Sequence, residues 1–309
     1  MSKPPAAFKA MFDDIAMDLE WPLHHPEILP DGGKFYRDIA YATVRGFRPL
    51  MLDVSTPPGV GPHPVIVFIH GGAWVAGHPA ITNPIYRKLS FFRRFHAAGF
   101  AVARISYRLS AEAKFPTQLH DCKSAIRFLR SREAILGLDS NRFGVMGDSA
   151  GGHLATLVGL TGKIKRLEGK VGETKGSSAV SCVVNWFGPT DFLTMQKQKR
   201  KLKSLGNSDA ADSPESLLVG GPVQRRKNEA RAASPITYVH KAAPPMLLQY
   251  GDKDRLVPFE QGLALFEALR AKHCEVTLQR IAGADHCFWG VEHGHVVDDD
   301  IAFFKKHLG

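Results

Sequence analysis

The chain has 309 residues, 44% of them hydrophobic and 23% charged, and a formal net charge of +10. Length and composition are those of an ordinary globular protein with one large domain or two smaller ones, and they exclude a fibrous, low-complexity or disulfide-scaffold chain. The basic residues are dispersed. The densest runs, Lys197–Lys203 and Arg225-Arg226-Lys227, carry no interleaved aromatics, so no nucleic-acid partner is expected.

Residues 1–34 read as an N-terminal arm packing on the body, with a short helix between Ala6 and Leu19. No apolar signal core opens the chain and no run of about 18 apolar residues suggests a membrane span, so a cytoplasmic location is the expectation. Phe35 to Val54 predicts a β-hairpin turning at Arg45-Gly46. Val65–Ile69 is a continuous apolar run, as a strand covered on both faces requires. A helix over Pro84–Ala98, a strand over Phe100–Ile105 and a helix over Thr117–Ile135 follow. Next come a strand at Phe143–Met146, a helix over Gly152–Leu160, and strands at Val180–Trp186 and Pro245–Tyr250. The chain closes with a helix over Phe259–Ala271, a strand over Glu275–Ile281 and a helix over Asp298–His307.

Apolar strands alternating with helices predict one α/β domain, a mainly parallel central sheet with helices on both faces. Residues 191–234 break the rhythm. They carry nine Lys/Arg against five Asp/Glu, and an insertion of this length in a compact domain reads as a lid or binding element. The four cysteines form no C-x-x-C pair, so reduced thiols are expected, with a Cys274–Cys287 bridge left open by spacing.

The chemistry centres on Gly147-Asp148-Ser149-Ala150-Gly151. A serine at the apex of a strand–turn–helix elbow holds its hydroxyl clear of the sheet. Alone the motif is weak: with Gly and Ser each about 7% of residues, it arises by chance in about one 300-residue chain in ten. A serine nucleophile also needs a base and an acid that orients it, on loops after later strands. The loop after Tyr250 offers two acids, Asp252 and Asp254, and the loop after Ile281 offers His286. An oxyanion needs N–H donors, for which Ala150 and the His70-Gly71-Gly72-Ala73-Trp74 loop are placed. Trp74, Trp186, Phe187, Phe288 and Trp289 neighbour predicted strand ends and are candidate substrate-binding residues; two are expected to touch ligand and the rest to pack in the core. His24-His25 and His293-Gly-His295 lack Cys or acidic ligands at useful spacing, so no metal site is assigned.

Seven motifs in order carry a family resemblance over residue 35 to the end. They are His70-Gly-Gly-Ala-Trp74, Tyr107-Arg-Leu109, Phe115-Pro116 with Asp121, Gly147-Asp-Ser-Ala-Gly-Gly152, Trp186-Phe-Gly-Pro-Thr-Asp191, Gly251-Asp-Lys-Asp254 through Val257-Pro258, and Gly283-Ala-Asp-His286. The chain resembles the hormone-sensitive-lipase-like α/β-hydrolases, and within them a bacterial feruloyl-esterase-like branch, BD-FAE-like. Two segments depart from the pattern: Ala73 replaces a fourth glycine, and Tyr107-Arg-Leu-Ser-Ala-Glu112 stands for the usual Tyr-Arg-Leu-Ala-Pro-Glu. The resemblance implies an α/β-hydrolase fold with a lid-like insertion, with Ser149 as nucleophile, Asp254 rather than Asp252 as acid, and His286 as base. It implies oxyanion donors from Gly71, Gly72 or Ala73 together with Ala150. It further implies a serine carboxylesterase acting on small-molecule esters of short acyl or aryl type, feruloyl esters among them, without metal or organic cofactor, and a homodimer as a candidate assembly. Amide cleavage, as in arylformamidases, and a non-catalytic binding protein on the same fold are the alternatives.

Overall fold

The computed structural model describes residues 25–44, 46–80, 86, 90–199 and 205–309. The helix expected within Ala6–Leu19, His24, the hairpin residue Arg45, most of the segment before Ser90 and the Arg200–Lys203 part of the basic run lie outside the described residues. No helix among the described residues is long and apolar enough to cross a membrane.

Nine strands form one sheet in the order β1-β2-β3-β5-β4-β6-β7-β8-β9 among the described residues. β1 (Glu27–Ile28), β2 (Lys34–Ala42) and β3 (Leu50–Thr56) build an antiparallel edge, and β3 pairs antiparallel with β5 (Ala101–Ile105). From there β4 (His63–Ile69), β6 (Leu138–Asp148), β7 (Cys182–Trp186), β8 (Met246–Gly251) and β9 (Val276–Ile281) run parallel. Glu27 pairs with Phe35 and Ile28 with Lys34, so this part of the expected arm is an edge strand.

Apart from a single turn at Glu133–Leu136, the described α-helices are α1 (Phe91–Ala97), α2 (Thr117–Ser131), α3 (Ala150–Thr161), α4 (Phe192–Lys199), α5 (Pro214–Val219), α6 (Lys227–Ala233), α7 (Phe259–Arg270) and α8 (Gly294–Leu308). The strand order places them. β4 to β5 steps one way along the sheet and β5 to β6 steps back across β4. Right-handed crossovers therefore put α1 and α2 on opposite faces. α3 packs with α2, whereas α8 joins α1 through Phe304, edge-on to Phe95 at 6.0 Å between ring centres. Covered twice, β4 from Val65 onward and β7 apart from Asn185 are apolar, and every side chain from Val65 to Ile69 and from Cys182 to Trp186 is buried. Among the described residues the half-exposed β9 is the sheet edge opposite β1.

Register aligns the strand ends. Ile69 pairs with Gly147, Asp148 with Trp186, and Gly251 with Ile281. The loops after β4, β6, β7, β8 and β9 thus leave one edge of the sheet together, the edge where open α/β sheets carry their sites. The loop after β5 braces them. The Tyr107 hydroxyl donates to the His70 carbonyl at 3.0 Å, and the Ser110 N–H donates to the Trp74 carbonyl at 2.7 Å. Arg108 grips Asp121 of α2 in a fork, Nε to Oδ2 at 2.9 Å and Nη2 to Oδ1 at 2.6 Å, and Asp121 is fully buried. Removing one member of such a pair strands the other charge. Asp121→Leu should cost about 3–5 kcal/mol in a urea unfolding titration. A loss under about 1 kcal/mol would show that the pair does not hold this loop.

Candidate functional site

Ser149 sits between β6 and α3 with φ 53° and ψ −118°, a conformation that costs a non-glycine residue roughly 1–3 kcal/mol. Close packing imposes it. A Cβ on Gly151 would collide with the Ile69 carbonyl oxygen, and one on Gly147 with the Gly151 backbone. The strained turn is anchored by its own N–H, which donates to the Trp186 carbonyl at 2.8 Å.

His286 follows β9. Its Nε2 lies 3.1 Å from Ser149 Oγ and its Nδ1 lies 2.7 Å from Asp254 Oδ2. A carboxylate only accepts, so Nδ1 carries the proton and the Nε2 lone pair faces the serine hydroxyl. Asp254 is 1% exposed, and its Oδ1 accepts the N–H groups of Leu256 and Val257, both at 2.8 Å. Asp252, the other acid of the loop, accepts instead from the Gly283 N–H at 2.7 Å and from Arg280 Nε at 3.1 Å. It fastens the acid-bearing loop to the loop of His286. Arg255 and Asp285 tie the same loops a second time, Nε to Oδ2 at 2.6 Å, while Asp285 Oδ1 accepts the His286 N–H at 2.8 Å. Burial works against the Asp285 charge, but Arg255 and these backbone donors hold its carboxyl below the usual carboxylate range.

The glycine loop after β4 requires one correction. The Gly71 N–H donates to Asp148 Oδ1 at 2.9 Å. An amide committed to a carboxylate does not face a developing oxyanion, so Gly71 leaves the set of available donors. Burial pushes the Asp148 carboxyl up, against the pull of the Tyr86 hydroxyl, the Gly71 N–H and His286. Gly72 (φ 106°) and Ala73 (φ 54°) form the turn that follows, and Ala73 borders the same cavity as Ser149. Ala150 is the first residue of α3, where backbone N–H groups lack intrahelical partners.

A cavity of about 420 Å³ opens at Ser149 and His286, within the range of roughly 300–1,000 Å³ usual for small-ligand sites. One side is apolar, from Trp74, Pro189, Leu256 and Val257. The other comes from the insertion, where Met195 and Leu205 stand with the polar Lys199, Ser208 and Glu215. Lys199 Nζ donates to Ser208 Oγ at 3.1 Å. Burial pushes the Lys199 ammonium down and the Glu215 carboxyl up, each partly offset by the other's charge. The sequence flagged this insertion by its length and charge, but nothing in its pattern singled out these residues.

Of the five aromatics expected near ligand, only Trp74 borders this cavity. Trp186 and Phe288 are fully buried and pack on each other at 5.2 Å between ring centres. Trp186 Nε1 donates to the buried Asp300 of α8 at 3.1 Å and its ring packs on Phe91 of α1, so the indole points into the core on that face of the sheet. Phe187 is 2% exposed and lies edge-on to the His286 ring at 4.8 Å, packed against the imidazole. Trp289 is on the surface, 60% exposed. Burial area decides this: an aromatic ring at a strand end gains most where both sides are covered.

Cys274 and Cys287 form no disulfide. His293 turns its Nδ1 onto the Val291 carbonyl at 2.8 Å, and no group of three or more His, Cys, Asp or Glu among the described residues could hold a metal ion.

Two histidines around the site are buried as neutral rings. His70 stacks on Tyr107 and His153 lies inside α3, and burial lowers each to about 4. Unfolded histidine titrates near 6.5. The unfolded chain therefore binds more protons between these values, so the stability is full above about pH 6.5 and is lost as pH falls toward about 4. Urea unfolding at pH 7.5 and 5 should show a loss of about 1.4 kcal/mol per pH unit below 6.5 for each ring. A flat profile between them would contradict the burial of neutral rings.

A family model described as BD-FAE matches residues 52–269. Esterase LipC of Mycobacterium tuberculosis is 33% identical over 89% of this chain and 66% of its own length. The chain spans about half to two thirds of the length of the curated relatives it matches first. Among solved structures, a truncated carbohydrate esterase from gut microbiota is 28% identical, with a TM-score of 0.78 over 92% of this chain and 99% of that one. The propionate-bound esterase Est2 of Thermogutta terrifontis is 25% identical, with a TM-score of 0.66 over 87% and 92%. The likeness establishes the α/β-hydrolase fold.

Proposed function

The chain belongs to the BD-FAE family, and on that premise we propose that it is a serine carboxylesterase hydrolysing carboxylic esters of short acyl or aryl type through an acyl-serine intermediate. The observation that supports this most is the hydrogen-bonded series Asp254–His286–Ser149, which ends in an open cavity. His286 Nε2 takes the Ser149 proton as Oγ attacks the ester carbonyl. Asp254 holds the imidazole in the required tautomer and balances the imidazolium. The N–H groups of Ala150 and of Gly72 or Ala73 receive the oxyanion. His286 then protonates the leaving alcohol, and a water repeats the sequence to release the acid. Short acyl groups fit the modest cavity and agree with the propionate named for Est2. The polar wall from Lys199, Ser208 and Glu215 suits an alcohol portion rich in hydroxyls, as the name of the carbohydrate esterase suggests. The insertion 191–234 acts as a cap on the cavity.

Ser149→Ala should lower kcat/KM for p-nitrophenyl acetate at least about 10⁴-fold with the melting temperature preserved, and a fluorophosphonate probe should label the wild type at Ser149 only. Turnover like the wild type's in that variant would sink the reading. The two acids separate cleanly. Asp254→Asn should cost about 10⁴-fold in kcat, as loss of the base's orienting carboxylate does. Asp252→Asn should change kcat less than about tenfold, since a loop tie to the exposed Arg280 is worth about 1 kcal/mol. The reverse order in the same assay would reassign the acid.

A further inference from the structure

His153 lies one turn into α3, where its N–H donates to the Ser149 carbonyl at 3.0 Å, and its side chain is fully buried. Its two ring nitrogens serve two different segments. Nδ1 accepts the indole N–H of Trp74 at 3.2 Å. Nε2 faces the carbonyl of Ala233, the last residue of α6, at 2.7 Å. Indole N–H is donor only and a carbonyl acceptor only, so these partners fix the neutral tautomer with the proton on Nε2. The ring faces are filled too. Phe192, the first residue of α4, stacks on it at 5.1 Å and Trp74 stands edge-on at 5.0 Å.

The segments held this way meet across the cavity. On one side Gly72, Ala73 and Trp74 have φ of 106°, 54° and 57°, a run in the left-handed region that bulky residues avoid and that persists only where surroundings over-determine it. On the other side α4 supplies Met195 and Lys199 to the cavity wall. We propose that His153 is a positioning residue that holds the glycine loop in oxyanion-binding geometry through Nδ1 and seats the insertion through Nε2. This rests on the oxyanion role given to that loop under the proposed function. His153 touches no reacting atom; it acts through Trp74 and Ala233.

The two nitrogens can be tested one at a time. In His153→Asn the amide oxygen stands near the Nδ1 position and keeps an acceptor for Trp74, while the link to Ala233 is lost. In His153→Gln the amide nitrogen stands near Nε2 and keeps the donor to Ala233, while the acceptor for Trp74 is lost. On p-nitrophenyl acetate and a bulkier aryl ester, His153→Gln should lower kcat at least about tenfold with KM little changed, since a misplaced oxyanion donor weakens only the transition state. His153→Asn should keep kcat and raise KM for the bulkier ester about fivefold, through a loosened wall worth about one hydrogen bond. Trp74→Phe, with His153 intact, should lower kcat as His153→Gln does, and the double variant should add no further loss; this pair keeps the test decisive if either histidine variant folds poorly. Equal losses in Asn and Gln variants, or lowered melting temperature with unchanged kcat and KM, would overturn the proposal. Ser149→Ala serves as the separate control: if it retains activity, the proposed function fails before His153 is at issue.

Discussion

The site depends on how closely the Ser149 turn packs against the end of β4. The elbow passes so near the Ile69 carbonyl that neither Gly147 nor Gly151 has room for a Cβ. The serine between them is held at a positive φ that an unconstrained chain would abandon. What holds it is the register of the parallel strands. Ile69 beside Gly147 and Asp148 beside Trp186 bring the Trp186 carbonyl under the Ser149 N–H. A slip by one residue would swap every side chain of a strand to the opposite face and undo its packing against the helices on both sides, so the strain in the turn is met by the cohesion of the core.

From that turn outward, the loops are tied to one another by polar contacts rather than by a second core. Tyr107, Ser110 and Asp148 brace the glycine loop. Asp252, Arg255 and Asp285 fasten the loop of Asp254 to the loop of His286. Each contact is worth only about 0.5–1.5 kcal/mol, but they share few degrees of freedom. The outcome is an imidazole with a buried carboxylate on one nitrogen and a serine hydroxyl on the other. Carboxyl groups do most of this work without touching a substrate. Asp148, Asp252 and Asp285 each spend an oxygen on a backbone N–H of a neighbouring loop, that of Gly71, Gly283 and Arg255 respectively.

The cavity combines unlike walls because it joins unlike parts of the chain. Its floor comes from loops at the sheet edge and is apolar, as core-derived surface tends to be. Its far wall comes from an insertion whose side chains, Lys199, Ser208 and Glu215, are buried only by being folded over the sheet edge. The large aromatics at the strand ends went the other way, into the core, where Trp186 and Phe288 lose all contact with solvent.

The sequence by itself determined the alternation of strands and helices, because apolar runs and helical spacing record which faces are covered. It also singled out the serine, the histidine and the acid pair as candidates, because glycine spacing and chain order can be read along the chain. Between Asp252 and Asp254 the residues left a choice, and the resemblance favoured Asp254; the three-dimensional arrangement brings Asp254, not Asp252, to the imidazole. Only tertiary structure decided that Gly71 is committed to Asp148, that Trp74 alone of five aromatics faces the cavity, and that Lys199 and Glu215 line its far wall. The physical reason is common to all of these. Direction of an N–H or a side chain depends on partners distant in sequence, and no periodicity within one segment records where those partners lie.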